Sequence, residues 1–280
     1  MLAPATDTFL DDLNAFVQQV KTLPRVRFET DLGPDADLWL RKKHAAGAVH
    51  EPATLAAFLA AQKHHPIKHV FDLGALFGYF TLFALQAFDD GVEVTAFEMH
   101  PGCIEPLARN VHPYTKVVNA VISDEVKPEQ RFWISGFNIY EKPEGGWDKL
   151  ADVPGAMKER GENNRGRGWG KLPFITLDFY CQANPLPDLI KIDVEGYQAK
   201  AVQGALGVIE KNRPVIIIEL HDTEKIERFG ITNKSTVQPL FDLNYRAYWC
   251  ENFRDRDARF EAVDVMDERH EKLGIMVLVP

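Results

Sequence analysis

The stretch "HVFDLGALFGYFTLFAL", His69 to Leu85, decides the fold. An apolar run reaches Asp72, two glycines follow, and the chain then turns aromatic and amphipathic. That is the pattern of a strand, a tight turn and a helix, the unit that cradles a nucleotide at the carboxyl edge of a parallel sheet. Gly74 and Gly78 allow positive φ angles and close approach of the backbone to a ligand. The helix start adds unpaired N–H groups.

Outward from this unit, strands and helices alternate. "EVTAFEM" reads as a strand, "GCIEPLARNV" as a helix despite Pro106, and "KVVNAVI" as one further strand. "DLIKIDV" is another strand, followed by a helix whose apolar face is Val202, Ala205, Leu206 and Ile209. "PVIIIEL" is almost continuously apolar, as a strand buried on both faces must be. "YRAYWC" and "IMVLVP" close the series. The alternation predicts a largely parallel sheet with helices on both faces.

Upstream, residues 7–21 form an amphipathic pattern, with Asp7 as the N-cap and Leu10, Leu13, Val17 and Val20 on one face. A second helix is predicted from about Ala53 to Lys63. Residues 1–48 read as an N-terminal helical extension and 49–280 as the main domain. Segment 131–172 breaks the rhythm with Gly136, Gly145, Gly146, Gly155 and "RGENNRGRGWG". A long, weakly patterned segment inside a domain reads as an inserted lid or substrate loop.

The 280 residues are 45% hydrophobic and 26% charged, the composition of a soluble globular protein with a well-buried core. A net charge of −9 disfavours nucleic acid as a partner. Cys103, Cys181 and Cys250 have neither zinc spacing nor the density of a disulfide framework, which fits a reducing cytoplasm. No leader and no membrane-span-length apolar run is visible, so a cytoplasmic location is expected.

The turn also narrows the ligand. "DLGALFG" lacks the G-x-G-x-x-G spacing of dinucleotide sites, and no Gly-Lys-Ser/Thr follows as in a nucleoside triphosphate loop. S-adenosylmethionine needs no phosphate clamp. It carries a sulfonium, an amino-acid head and an adenosine. Asp72 beside Gly74, Ala75 and Gly78 can attract its α-ammonium, directly or through water. Glu98, ending the second strand, can accept hydrogen bonds from both ribose hydroxyls, as a carboxylate does for NAD. In "NAVISDE", Asp124 or Ser123 can reach the adenine edge, with Ala120 and Val121 near the ring. "KIDVEG" then sets Asp193 and Glu195 at one strand end, and "IELHD" sets Glu219, His221 and Asp222 at the next. Two neighbouring strand ends thus gather several carboxylates and one imidazole.

Taken in order, "FDLGALFGYFT", "AFEMHP", "NAVISD", "ITLDFY", "LIKIDVEG" and "PVIIIELH" resemble the FkbM family of class I S-adenosylmethionine-dependent methyltransferases. The resemblance runs from "VHEP" at Val49 to Asp222. It implies a Rossmann-like three-layer α/β/α sandwich, with a seven-stranded, mostly parallel sheet whose last strand is antiparallel. It also implies methyl transfer, commonly to a hydroxyl of a sugar, glycolipid or natural product. By position, Asp72, Gly74 and Gly78 would line the cofactor turn, Glu98 would hold the ribose and Asp193 would face the methionine end. The chain departs from the family at Leu76, where Asn is frequent. It departs again at Tyr197 and Gln198, where Ala-Glu is frequent.

For a hydroxyl acceptor, His221 is the candidate general base, because imidazole titrates near neutral pH. Asp193 or Glu219 would orient it. A divalent ion on Asp193, Glu219 and Asp222 is an alternative, but no metal is expected. The expected acceptor is a small molecule or carbohydrate. Arg160, Arg165, Arg167 and Trp169 are the features that favour a nucleic acid or another anionic acceptor. A non-catalytic cofactor-binding scaffold is the remaining rival.

Overall fold

In the computed structural model, residues 7–20, 49–88, 91–111, 115–135, 138–141, 167–227 and 230–280 are described. Helix α1 (Thr8–Gln19) starts where expected: the Asp7 side chain accepts the Leu10 N–H. Its buried face is Phe9, Leu13 and Val17, so the stripe runs through Phe9 rather than Leu10. α2 (Pro52–His64) has proline in its first turn and is buried nearly all round, as an alanine-rich helix between other layers can be.

The chain then winds through β1 (His69–Leu73), α3 (Tyr79–Ala87), β2 (Glu93–Phe97), α4 (Pro101–Val111) and β3 (Thr115–Val118). After β3 come β4 (Val121–Ile122), β5 (Lys127–Ser135), β6 (Asn138–Glu141) and β7 (Arg167–Ile175). α5 (Leu177–Tyr180), β8 (Leu189–Ile192), α6 (Gln198–Gln203), α7 (Leu206–Asn212) and β9 (Val215–Leu220) follow. The last part holds α8 (Thr223–Ile226), α9 (Asn233–Asp242), β10 (Arg246–Cys250), β11 (Glu261–Val263) and β12 (Gly274–Val279).

The main sheet has eight strands in the order β11-β10-β12-β9-β8-β1-β2-β3. From β3 to β9 every pairing is parallel, and β12 enters antiparallel beside β9. The order reverses at β1, between β8 and β2, which is where open α/β sheets bind ligands. The expected count of seven is corrected to eight, because β11 adds an antiparallel edge against β10. The three layers follow from side-chain alternation. Val70, Val215 and Ile217 face the core under α1, α2 and α3, while Phe71, Ile216 and Ile218 face the core under α6, α7 and α9. Each fully buried isoleucine contributes roughly 1.5–3 kcal/mol.

Two sequence readings need correction. "KVVNAVI" is not one strand: it breaks at Asn119, whose side-chain amide donates to the carbonyls of Glu98 and Met99 at 2.8 and 3.2 Å. β3 stays in the main sheet, whereas β4 joins a second, four-stranded sheet ordered β4-β7-β5-β6. The helix through Val202 and Ile209 is likewise two helices, α6 and α7, parted at Gly204 and Ala205. Within the predicted insert, residues 131–135, 138–141 and 167–172 are strand, and the rest of it lies outside the described residues. So do Arg160 and Arg165, and residues 21–48 of the N-terminal extension. No described helix is long and apolar enough to cross a membrane. All three cysteines are free, with Cys103 and Cys250 buried.

Candidate active site

The opening glycine turn builds one wall of the site. Gly74 (φ 80°) lies so close to β8 that a Cβ there would sit 1.8 Å from the Asp193 carbonyl oxygen. The Gly74 and Ala75 N–H groups both donate to the Phe97 carbonyl, at 2.9 and 3.1 Å, pinning the turn across the ends of β1 and β2. Leu76 sits at φ 51°, a region that Asn tolerates and Leu does not favour. Gly78 (φ 89°) then starts α3.

A cavity of about 340 Å³ opens above these strand ends. Gly74, Ala75, Glu98, Asp193 and Glu219 line it, with Ala120, Val121 and Ile122 forming an apolar side. Glu98 is 6% exposed. One of its carboxylate oxygens accepts the Leu76 N–H at 2.8 Å and the other the His100 N–H at 2.6 Å. Burial outweighs these two hydrogen bonds and raises its pKa to about 7.

Asp72 is placed differently from the sequence reading. It is fully buried and does not line the cavity. Its Oδ2 accepts the Thr81 hydroxyl at 2.7 Å, and its Oδ1 lies 3.4 Å from Lys191 Nζ. Gly78 is likewise set back, below the cavity at the helix start. Asp124 is exposed and lies outside the lining, where Ser123 Oγ donates to it at 3.0 Å and Lys200 Nζ is 3.9 Å away.

The three catalytic candidates do converge. Asp193, Glu219 and His221 offer ligand-type atoms that all lie within 4.8 Å of one another. His221 is 3% exposed, behind the cavity surface. Its Nε2 faces Glu195 Oε2 at 3.6 Å and Glu219 Oε1 at 3.7 Å. Its Nδ1 has no hydrogen-bond partner among the described residues. Asp222 stands apart, accepting the Leu273 N–H at 2.9 Å.

Three functional groups escaped the sequence reading. Lys191 is 3% exposed and reaches Asp72 and Asp193 at 3.4 and 3.3 Å, with the Phe80 ring centroid 4.6 Å away. Burial opposes its charge, but Asp193, Asp72, Glu51 and Glu219 overcome that and hold its proton more tightly than usual. Glu51 is 4% exposed and lines the cavity. Arg254, in the loop after β10, bridges Glu51 Oε1 at 3.3 Å and Glu219 Oε1 at 3.0 Å. Burial, then the nearby Asp193, raises the pKa of both Glu51 and Glu219, and Arg254 counters only part of this. Lys191 had a sequence signal, a lone charge inside the apolar strand "LIKI". Arg254 had none, because only the β9–β12–β10 pairing carries its loop back to Glu219.

The family described as Methyltransferase FkbM domain matches residues 72–247. No curated protein matches the sequence significantly. A solved FkbM methyltransferase from Methylobacillus flagellatus KT is 12% identical, with a TM-score of 0.44 over 99% of this chain and 63% of that one. The chain therefore spans less than two thirds of that protein's length. A precorrin-6y C5,15-methyltransferase from Geobacter metallireducens GS-15 is 13% identical, with a TM-score of 0.40 over 81% of this chain and 88% of that one. The O-methyltransferase from Bacillus cereus, solved in complex with SAH, is 13% identical, with a TM-score of 0.37 over 100% of this chain and 94% of that one.

Proposed function

The chain belongs to the FkbM methyltransferase family, and from that premise we propose that it is an S-adenosylmethionine-dependent O-methyltransferase acting on a hydroxyl of a small-molecule or carbohydrate acceptor. One observation carries the reading: a single cavity joins Glu98 to Asp193, Glu195 and Glu219, and His221 stands directly behind them. The donor set fits the cofactor. Glu98, already aligned by two backbone N–H groups, keeps lone pairs for the ribose hydroxyls. Ala120, Val121 and Ile122 offer an apolar bed for the adenine, and the glycine turn admits the methionine portion. When bound, the cofactor supplies an electrophilic methyl group on its sulfonium.

The protein's part is then orientation and proton removal. An acceptor oxygen must lose its proton as it takes the methyl group. His221 receives that proton at Nε2, and Glu195 and Glu219, which flank that nitrogen at 3.6 and 3.7 Å, stabilise the imidazolium that forms. Lys191 and Arg254 already occupy one oxygen each of Asp193 and Glu219, which favours proton transfer over metal ligation at this cluster. The same cluster has more carboxylates than cations, so it favours a neutral or cationic acceptor over an anionic one.

The test has two parts. Calorimetry should detect binding of S-adenosylhomocysteine, and a candidate-hydroxyl panel with labelled cofactor should yield methyl ether. His221→Ala should then abolish turnover and leave S-adenosylhomocysteine affinity within about twofold. Turnover retained in that variant removes His221 as the base, and absence of cofactor binding removes the whole reading.

A further inference from the structure

In the sequence Asp72 can attract the cofactor's α-ammonium, directly or through water, but the fold seals that carboxylate behind Thr81 and Lys191, with 0% exposure. A different lining group must face the cation. Glu51 directly precedes α2 and has a left-handed backbone, φ 50° and ψ 71°, a strained conformation for a residue with a Cβ. It occupies the N-cap position, yet its side chain caps no helix N–H. Glu51 lines the cavity instead. There Thr54 Oγ1 donates to Oε2 at 3.1 Å and Arg254 Nε to Oε1 at 3.3 Å.

Its neighbours place it on the cofactor side. His50 packs edge-on against Tyr79, and its backbone N–H donates to the Tyr79 hydroxyl at 3.1 Å. Glu51 is thereby tied to the first turn of α3, where the glycine turn ends. Glu219, joined to Glu51 through Arg254, lies next to His221, 3.7 Å from its Nε2. The buried cluster around Lys191 sets Glu51, Asp72, Asp193 and Glu219 against Lys191 and Arg254, with His50 Nε2 also 3.3 Å from Glu51 Oε1. Buried carboxylates in excess of cations are stabilised by an incoming positive charge. The nearby Asp193 works against a further negative charge on Glu51, so an arriving ammonium relieves it.

We propose that Glu51 receives the α-ammonium of the cofactor's amino-acid end. This rests on the S-adenosylmethionine reading above. Two probes separate the claims: S-adenosylhomocysteine, which has the amino-acid end, and 5′-methylthioadenosine, which lacks it. Both are titrated calorimetrically into the full chain and its variants. Glu51→Gln should weaken S-adenosylhomocysteine about tenfold or more and leave 5′-methylthioadenosine within about twofold, since a charge-assisted hydrogen bond is lost only with the first. Glu98→Gln should weaken both alike. If Glu51→Gln does not fold, Glu51→Asp, which keeps the charge but withdraws it by one methylene, carries the same contrast. Equal weakening of both probes by the Glu51 variant, or weakening of neither, overturns the assignment. Wild-type protein that binds neither probe overturns the cofactor reading, and this assignment with it.

Discussion

Glu98 gives the sharpest quantitative test. Burial lifts its folded pKa to about 7 from the ordinary 4.5, because desolvation of the charge outweighs the His100 and Leu76 N–H donors. Between those two pH values the folded protein keeps a proton that the unfolded chain has released. The stability this group contributes is therefore complete below about pH 4.5 and is lost as pH rises through about 7. The difference corresponds to about 3 kcal/mol. Glu51 and Glu219, also raised, act in the same direction. Ligand binding should oppose this trend, because ribose hydroxyls donate to the ionised carboxylate. Urea denaturation at pH 5 and pH 8 should show wild-type protein less stable at the higher pH, and Glu98→Gln should shrink that gap by up to about 3 kcal/mol. In calorimetry, wild-type affinity for S-adenosylhomocysteine should fall about tenfold for each pH unit below 7, while Glu98→Gln should bind weakly at every pH. A wild-type affinity independent of pH between 5.5 and 7.5, or a Glu98→Gln variant that binds like wild type, would refute the reasoning.

Other perturbations test the frame around the site. Lys191→Met leaves Asp72 and Asp193 without their buried cation and should cost about 3–5 kcal/mol in denaturant unfolding; a loss under about 1 kcal/mol contradicts the charge cluster. Gly74→Ala drives a methyl group into the Asp193 carbonyl at positive φ and should cost at least about 2 kcal/mol and eliminate S-adenosylhomocysteine binding. Leu76→Asn should raise stability by about 0.5–1 kcal/mol by relieving the left-handed leucine, with the backbone bond to Glu98 retained; a lowered unfolding midpoint counts against that account.

The β1 turn, the Glu98 strand end and the Asp193–Glu219–His221 grouping were legible in the sequence, for a local reason. Each is a short strand followed by its turn, and parallel strands all present their carboxyl ends on the same edge. "PVIIIEL" announced a strand covered on both faces because every residue in it except Glu219 is apolar, and β9 is buried along its whole length. The break at Asn119 was not legible, because it depends on hydrogen bonds to Glu98 and Met99 in another strand. The eighth strand was not either, since three residues carry too little periodicity to stand out from a loop.

The sequence by itself therefore determined the strand–turn–helix units, their order, and the identity of the carboxylates at the strand ends, since all of these depend on near neighbours along the chain. Tertiary structure alone decided which of those carboxylates face the cavity. Asp72 and Glu98 end adjacent strands, yet Asp72 is sealed by Thr81 and Lys191 while Glu98 lines the pocket. Glu51 and Arg254, 203 residues apart, meet only because α2 and the loop after β10 close over the same sheet edge. Burial and charge pairing are properties of what surrounds a group in space, and that surrounding comes from segments distant along the chain.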